Sequence, residues 1–519
     1  MTGAELVLRI AASRGINACF ANPGTTEMAL VNALDAVPAI RPVLGLFEGV
    51  CTGMADGYAR MTGKPALTLL HLGVGLANGC ANLHNARRAQ SAIVNLVGDH
   101  PQSHIPYDAP LTSDIAALAK PFSSWVHTAR VAETLAECTN EAIVQAGTRP
   151  GRIATLILPA DLMEGAARAS EEVRRGVDPG VSQSKLDMVG LDHVLQAMRT
   201  EGRVGILLGG DALLEPALML AGKIAAATGS ALFAEPFPGR MDRGAGLPEV
   251  TRLPYFPEDV LKRLAGLTHL VLIGAKPPVS FFQYPGYPNS LVPEDCELLK
   301  LSPADAPAVP TLDALVHMLG VRTAAPKLIA LERPATPTGP ITTKSLAAAI
   351  AATLPENAII ADESATSGGP TYHLTRNGPR HAAMYLTGGG IGFGLPAATG
   401  AAVACPDSRV LALQGDGGAM YTAQALWTQA REGLNVTNVI LVNRKYQILQ
   451  TEFARASQGA AMGPAAESLT DLRRPELDWC ALARGMGVPA SRPDTVEALL
   501  EALRHGFAAS GPSVIEVVL

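Results

Sequence analysis

Short apolar runs alternate with amphipathic stretches along most of this chain. "INACFANPG" (16–24), "ALTLLHLG" (66–73) and "SAIVNLVGD" (91–99) are apolar segments of strand length that end in Gly, Pro, Asn or Asp. Stretches with helical spacing lie between them. That alternation predicts βαβ units and therefore parallel sheets in an α/β fold. At the N-terminus, "TGAE" has the spacing of a capping box, Thr2 with Glu5, and predicts a helix that starts at once.

Two segments interrupt the rhythm. "GAARASEEVRRGVDPGVSQSK" (165–185) is charged and small, and "RPATPTGPITTK" (333–344) is rich in Pro and Thr. Read as linkers, they delimit three doubly wound parallel-sheet domains, expected at 1–165, 186–325 and 340–519. The first and third have similar layouts, each with a Gly-rich turn after an apolar strand.

Composition narrows the function. A chain of 519 residues is too long for one core. With 48% hydrophobic and 17% charged residues it is globular, and a net charge of −6 points away from nucleic acid or an anionic membrane surface. The seven cysteines are scattered singly with no C-x-x-C, which suggests a reducing compartment rather than disulfides or zinc. Apolar runs such as "LAAAIAATL" fall far short of the roughly 20 residues that span a bilayer. With no basic leader before Thr2, the expectation is a soluble, cytoplasmic protein.

The chemistry concentrates in "LALQGDGGAM" (411–420). "RVLALQ" (409–414) and "VTNVILVN" (436–443) predict two strands, with the helical "YTAQALWTQAREG" (421–433) between them. Asp416 and Asn443 then fall at the carboxyl ends of consecutive strands, the edge where open α/β sheets bind ligands. A carboxylate and an amide oxygen suit a hard dication, Mg²⁺ or Ca²⁺, that keeps positions for water and phosphate oxygens. Bare backbone at Gly415, Gly417 and Gly418 lets N–H groups approach an anion. G-D-G alone equally fits a capped turn; the partner at Asn443 is what favours a metal.

"GDG…VN" at this spacing resembles the signature of the thiamine-diphosphate-dependent enzymes of the acetolactate synthase, pyruvate decarboxylase and benzoylformate decarboxylase type. The resemblance implies that Asp416, Asn443 and the carbonyl of Lys445 are metal ligands, with Tyr446 beside the diphosphate. Gly418 stands where the family often has Ser. "YLTGGGIGFGLPAATG" (385–400) resembles the stretch that grips the cofactor rings, with Ile391 as the apolar prop and Gly389 offering a carbonyl to the aminopyrimidine. "DESAT" (362–366) suggests Ser364 and Thr366 as further diphosphate contacts. "LFEGVCTGMADGYARMTGKP" (46–65) resembles the family's E-x-x-A-x-x-A-x-G-Y-A-R helix, making Glu48 the carboxyl that exchanges a proton with the pyrimidine ring nitrogen. The family layout further implies a pyrimidine-binding first domain, a Rossmann-like central domain and a diphosphate-binding third domain. Its active sites lie at a dimer interface, in assemblies that are commonly tetrameric.

Among the family's branches, "ANPGTTE" (21–27) resembles a benzoylformate decarboxylase loop, with Thr25 at a substrate-contacting Ser. "LLHLGVGLANGCANLHNAR" (69–87) places His71 at a catalytic histidine. "KPPVSFFQYPGYPN" (276–289) resembles the loop with that enzyme's second catalytic histidine, yet Phe282 stands there. Leu449 and Glu452 follow the metal loop, where the family lines its substrate pocket. Asp99 replaces a common Gln, and His100 and His104 beyond it are expected at a surface. "RVGILLGGDALL" (203–214) and "THLVLIGAKPP" (268–278) resemble Rossmann-type turns, but the "LGMHG"-type stretch of the FAD-binding branch is missing, so the central domain is expected as scaffold without FAD.

The sequence thus predicts decarboxylation of a 2-oxo acid with thiamine diphosphate and Mg²⁺. Two rivals stand beside it: acetolactate-synthase-like carboligation, which Phe282 favours by removing a proton donor, and a homologue that binds the cofactor without turnover.

Overall fold

Three parallel sheets organise the chain. The computed structural model describes residues 1–168, 186–200, 202–303, 306–457 and 459–519. Most of the expected linker 165–185 lies outside the described residues. The other one, 333–344, is coil that ends at Thr342, whose hydroxyl accepts Ser345 N–H to cap the helix Thr343–Thr353. Thr2 caps the helix Gly3–Ser13 in the same way, accepting Glu5 N–H at 3.2 Å.

The first sheet joins Arg41–Leu44, Ala18–Asn22, Ala66–Leu70, Ile93–Asp99, Ile153–Pro159 and Trp125–Thr128, in that spatial order. The last sheet joins His381–Tyr385, Ala358–Glu363, Val410–Gly415, Val436–Val442, Ser513–Val518 and Ala490–Ser491. Numbered along the chain within each domain, both read 2-1-3-4-6-5. The similar layout expected of the outer domains is therefore a repeated topology, with its order reversing between strands 1 and 3. Such a reversal opens the crevice that binds ligands in doubly wound sheets.

Equivalent helices of the two repeats, Glu48–Thr62 and Gly394–Ala404, pack directly on one another. A Cβ built on Gly57 would lie 2.1 Å from Ala397 O, and one on Gly400 would lie 1.9 Å from Met54 O, so each helix needs the other's glycine. Arg60, in the "GYAR" stretch, is buried beside this seam. It pairs with Asp56 at 2.5 Å and donates to Tyr385 O at 2.8 Å and Gly239 O at 3.1 Å, tying the three domains together. The apolar core follows suit, with Val50, Met54 and Tyr58 clustered with Phe393, Ala397 and Ala401.

The central sheet holds Thr251–Arg252, Ala231–Ala234, Val204–Leu208, His269–Ile273 and Glu297–Ser302, all parallel. Its two expected Rossmann-type turns meet each other. A Cβ on Gly274 would lie 2.5 Å from Gly209 O, and one on Gly209 would lie 2.6 Å from Gly274 O. Close backbone approach between neighbouring strand ends accounts for this glycine pair. The same domain donates Met241–Arg243, which runs antiparallel to His381–Tyr385 and becomes the edge of the last sheet.

Candidate active site

Val410–Gly415 and Val436–Val442 are hydrogen-bonded parallel neighbours, so Asp416 and Asn443 emerge side by side at their carboxyl ends. Asp416 is buried and already oriented: Oδ1 accepts Gly417 N–H at 2.9 Å and Oδ2 accepts Arg444 N–H at 2.8 Å. Burial raises its pKa, and those backbone donors oppose the rise. Asn443 Oδ1 accepts Lys445 N–H at 3.1 Å. Arg444 between them has φ +58, left-handed backbone that is strained for a non-glycine residue and typical of functional turns. Ala365, in the "DESAT" turn, shares this feature with φ +48.

One cavity collects these groups. Gly415, Asp416, Gly417, Gly418, Asn443, Lys445, Tyr446, Ser364, Thr366 and Ile391 all line it, as do Glu363, Phe237 and Arg252. The bare backbone has a local cause at each step. A Cβ on Gly417 would lie 2.4 Å from the Tyr446 ring, and one on Gly418 would lie 2.7 Å from Glu363 Oε1. Glu363 itself is buried, and its two oxygens accept Gly392 N–H at 2.7 Å and Gly394 N–H at 2.6 Å. It thereby holds the loop that carries Ile391. No sequence signal marked Glu363 beyond its place at a strand end.

Glu48 and His71 do not line this cavity; both lie in the first domain, on either side of Gly75. Glu48 opens its helix, is 7% exposed, and accepts Asn78 Nδ2 at 2.9 Å. Gly75 separates the two, since a Cβ there would lie 2.9 Å from Glu48 Oε1 and 3.3 Å from His71 Cβ. His71 Nδ1 sits 2.8 Å from Oε2 of Glu27, a fully buried carboxylate that also accepts Gly24 N–H at 2.8 Å and the Thr26 hydroxyl at 2.7 Å. The carboxylate makes Nδ1 the donor and leaves Nε2 for other work. Leu72, directly after His71, has φ +53. Sequence reasoning passed over Glu27, although it ends the quoted "ANPGTTE". Thr25 beside it is exposed.

The substrate-side residues are placed differently. Phe281 and Phe282 are 41% and 54% exposed and both lie outside the cavity lining; Phe281 covers Gly389, with Cζ 2.8 Å from a Cβ built there. Phe281 also meets Phe237 and Tyr255 edge to face or tilted, at 5.7 and 5.2 Å between ring centres. Leu449 is half exposed, while Ile448 lines the cavity. Glu452 is engaged by the central domain: Oε1 accepts the hydroxyls of Tyr255 at 3.0 Å and Tyr284 at 2.9 Å. One turn on, Arg455 pairs with Glu258 through both guanidinium nitrogens, at 2.7 and 2.9 Å. The helix Gln447–Ala456 is thus latched to the central domain.

Among the described residues, no helix is long and apolar enough to cross a membrane. Known proteins resemble this chain along its whole length. Residues 1–118 match the description "Thiamine pyrophosphate enzyme, N-terminal TPP binding domain", and residues 367–517 match its C-terminal counterpart. A Mycobacterium tuberculosis protein, provisionally named acetolactate synthase large subunit IlvX, is 47% identical over 100% of this chain and 99% of its own length. Benzoylformate decarboxylase of Pseudomonas aeruginosa is 31% identical over 97% of this chain and 96% of its own. Among solved structures, the thiamine diphosphate-dependent 4-hydroxybenzoylformate decarboxylase of Rhodococcus jostii RHA1 superposes with a TM-score of 0.86 at 27% identity, covering 99% of this chain and 98% of that one.

Proposed function

This chain belongs to the thiamine pyrophosphate enzyme family, and we propose that it decarboxylates a 2-oxo acid with thiamine diphosphate and Mg²⁺. The observation that carries the reading is the pairing of Asp416 with Asn443 in one cavity beside backbone that no side chain covers. The donors fit the group. Asp416, Asn443 and the carbonyl of Lys445 would hold the metal, a hard oxygen set that leaves room for phosphate oxygens. Gly415 to Gly418, Ser364, Thr366 and Tyr446 would surround the diphosphate. Gly389 would meet the aminopyrimidine, and Ile391, fixed through Glu363, would support the rings. Bound there, the cofactor supplies an electron sink for the pair that departing CO₂ leaves behind.

Glu48 would hold the proton exchanged with the pyrimidine. Its place outside the cavity of its own chain favours a site completed by a second copy, in a dimer or a tetramer built from dimers. His71, with Nε2 free, would deliver a proton to the product carbon. A second reading, carboligation, is favoured by the aromatic pair Phe281 and Phe282 in the loop that could otherwise carry a proton donor, and by the similarity to IlvX.

The test is a product assay. The protein is reconstituted with thiamine diphosphate and Mg²⁺ and offered pyruvate, benzoylformate and branched 2-oxo acids, with products followed by NMR. Aldehyde that disappears in Glu48→Gln supports decarboxylation. An acyloin such as acetolactate supports carboligation. No turnover of any 2-oxo acid, dicarboxylic ones included, with cofactor bound, refutes both.

A further inference from the structure

The cavity that holds Asp416 and Asn443 also holds a cation. Arg252, from the central domain, lines its wall. The guanidinium carbon lies 4.3 Å from the ring centre of Tyr372 and 4.5 Å from that of Tyr385, so two aromatic faces hold a side chain that would otherwise be mobile. Among the described residues no carboxylate pairs with it. The acids that share the wall have partners of their own, Asp362 through one of its two oxygens. Asp362 Oδ1 accepts the N–H and hydroxyl of Ser364 at 3.0 and 2.5 Å, Glu363 accepts Gly392 and Gly394, and Asp416 accepts Gly417 and Arg444. Other cations stand nearby: His373 is held below its usual pKa, by burial first and then by Arg252, Arg243, Arg376 and Arg263. An immobilised, unpaired guanidinium in a cavity is a site for an anionic oxygen group.

Sheet order indicates which anion. Asn443 and Asp416 follow, and Glu363 and Tyr385 end, four successive strands. At roughly 4.8 Å per strand, Tyr385 stands about 10 Å from the strand of Asp416 and about 14 Å from that of Asn443. A diphosphate, two tetrahedra sharing one oxygen, does not bridge a metal at the far end and a guanidinium stacked on Tyr385. Between the two ends lies the strand that brings Asp362 and Glu363 to the wall, and the cavity also carries apolar groups, Phe237, Leu386 and Ile391.

Resting on the reading of this cavity as the cofactor and substrate site, we infer that Arg252 binds a second carboxylate on the substrate, making the preferred 2-oxo acid dicarboxylic. The remote carboxylate pairs with the guanidinium, the methylene chain lies along Phe237 and Leu386, and the 2-oxo end faces Ile391.

The experiment compares acids matched in length on the reconstituted enzyme: 2-oxoglutarate and 2-oxoadipate against 2-oxopentanoate and 2-oxohexanoate. The wild type should favour the dicarboxylic acids by about tenfold or more in kcat/KM, the usual scale of a charge-assisted hydrogen bond. Arg252→Gln should lower kcat/KM for the dicarboxylic acids at least tenfold more than for the others, chiefly through KM, and Arg252→Lys should retain part of the preference. Unfolding temperatures of both variants separate binding from folding. A calorimetric titration with glutarate and pentanoate gives a readout without turnover: glutarate should bind the wild type and not Arg252→Gln. A wild type that prefers monocarboxylic acids or does not bind glutarate overturns the inference. So does an equal loss on both acid classes in Arg252→Gln, which would mean that Arg252 holds the reacting carboxylate or only the fold. Absence of turnover would refute the decarboxylase reading and leave the glutarate titration to decide on Arg252.

Discussion

The carboxylate of Glu363 fills the space that a side chain on Gly418 would need. A Cβ built on Gly418 lies 2.7 Å from Glu363 Oε1 and 2.9 Å from Gln414 Nε2, both closer than real Cβ contacts. This explains glycine where the family often has serine. Gly418→Ala should therefore cost about 1–3 kcal/mol, as overpacking does, and weaken thiamine diphosphate binding as well. Thermal unfolding and a cofactor titration check this; an unchanged unfolding temperature would mean that Glu363 yields freely.

Glu363 cannot yield cheaply, because two buried N–H groups depend on it. Its pKa is raised by burial, while the N–H groups of Gly392 and Gly394 pull the other way. Glu363→Ala orphans both donors and should lose about 2–5 kcal/mol of stability. Glu363→Gln, which keeps one acceptor, should lose less. Urea unfolding midpoints would rank the two, and the reverse order would refute the account.

Glu27 should fix the tautomer of His71. In the wild type, nitrogen-15 NMR should show Nδ1 protonated and Nε2 free in the neutral ring. His71→Ala should lower kcat by about 10²–10⁴-fold if the ring transfers the proton. In Glu27→Gln the amide can also donate to Nδ1, so a mixture of tautomers is expected, with a smaller loss of kcat. A single unchanged tautomer in that variant would separate Glu27 from the role of His71.

His381 should make the fold acid-sensitive. It is 4% exposed, its Nδ1 lies 2.8 Å from Pro379 O, and its buried Nε2 has no partner among the described residues. Burial, with Arg243 adding to it, holds its pKa down to about 3. An unfolded histidine takes up a proton near pH 6.5, and the folded one refuses it until about pH 3. Stability should accordingly fall as pH drops through this window, with this residue adding a slope that approaches about 1.4 kcal/mol per pH unit, and nothing above it. His381→Gln should flatten the slope in urea unfolding measured from pH 4.5 to 7. An unchanged slope would show that the native ring accepts the proton.

What the sequence made legible was local. Asp416 and Asn443 each close an apolar run at a break, and the strands found there, 410–415 and 436–442, match the runs within a residue or two. The cap at Thr2 needed only the four residues of "TGAE" to be recognised. What stayed hidden depends on chain segments that meet only in the fold. Glu27 becomes meaningful through a histidine 44 positions later. Arg252 sits in an unremarkable "VTRLPYF", and its aromatic clamp comes from residues more than a hundred positions away. Phe281 and Phe282 are adjacent in an irregular loop, where no periodicity says which one meets Gly389.

The strand Met241–Arg243 bears on how this protein can be divided. Residues 340–519 look like a self-contained unit, but their sheet ends on His381–Tyr385, whose outer edge is covered by three residues from elsewhere in the chain. A fragment expressed from 340 onward would present a bare, apolar edge, the kind of surface on which strands of separate molecules pair. Such a fragment is expected to aggregate, and one that begins at 186 would cover this edge but bare the face of Gly394–Ala404 that packs on Glu48–Thr62.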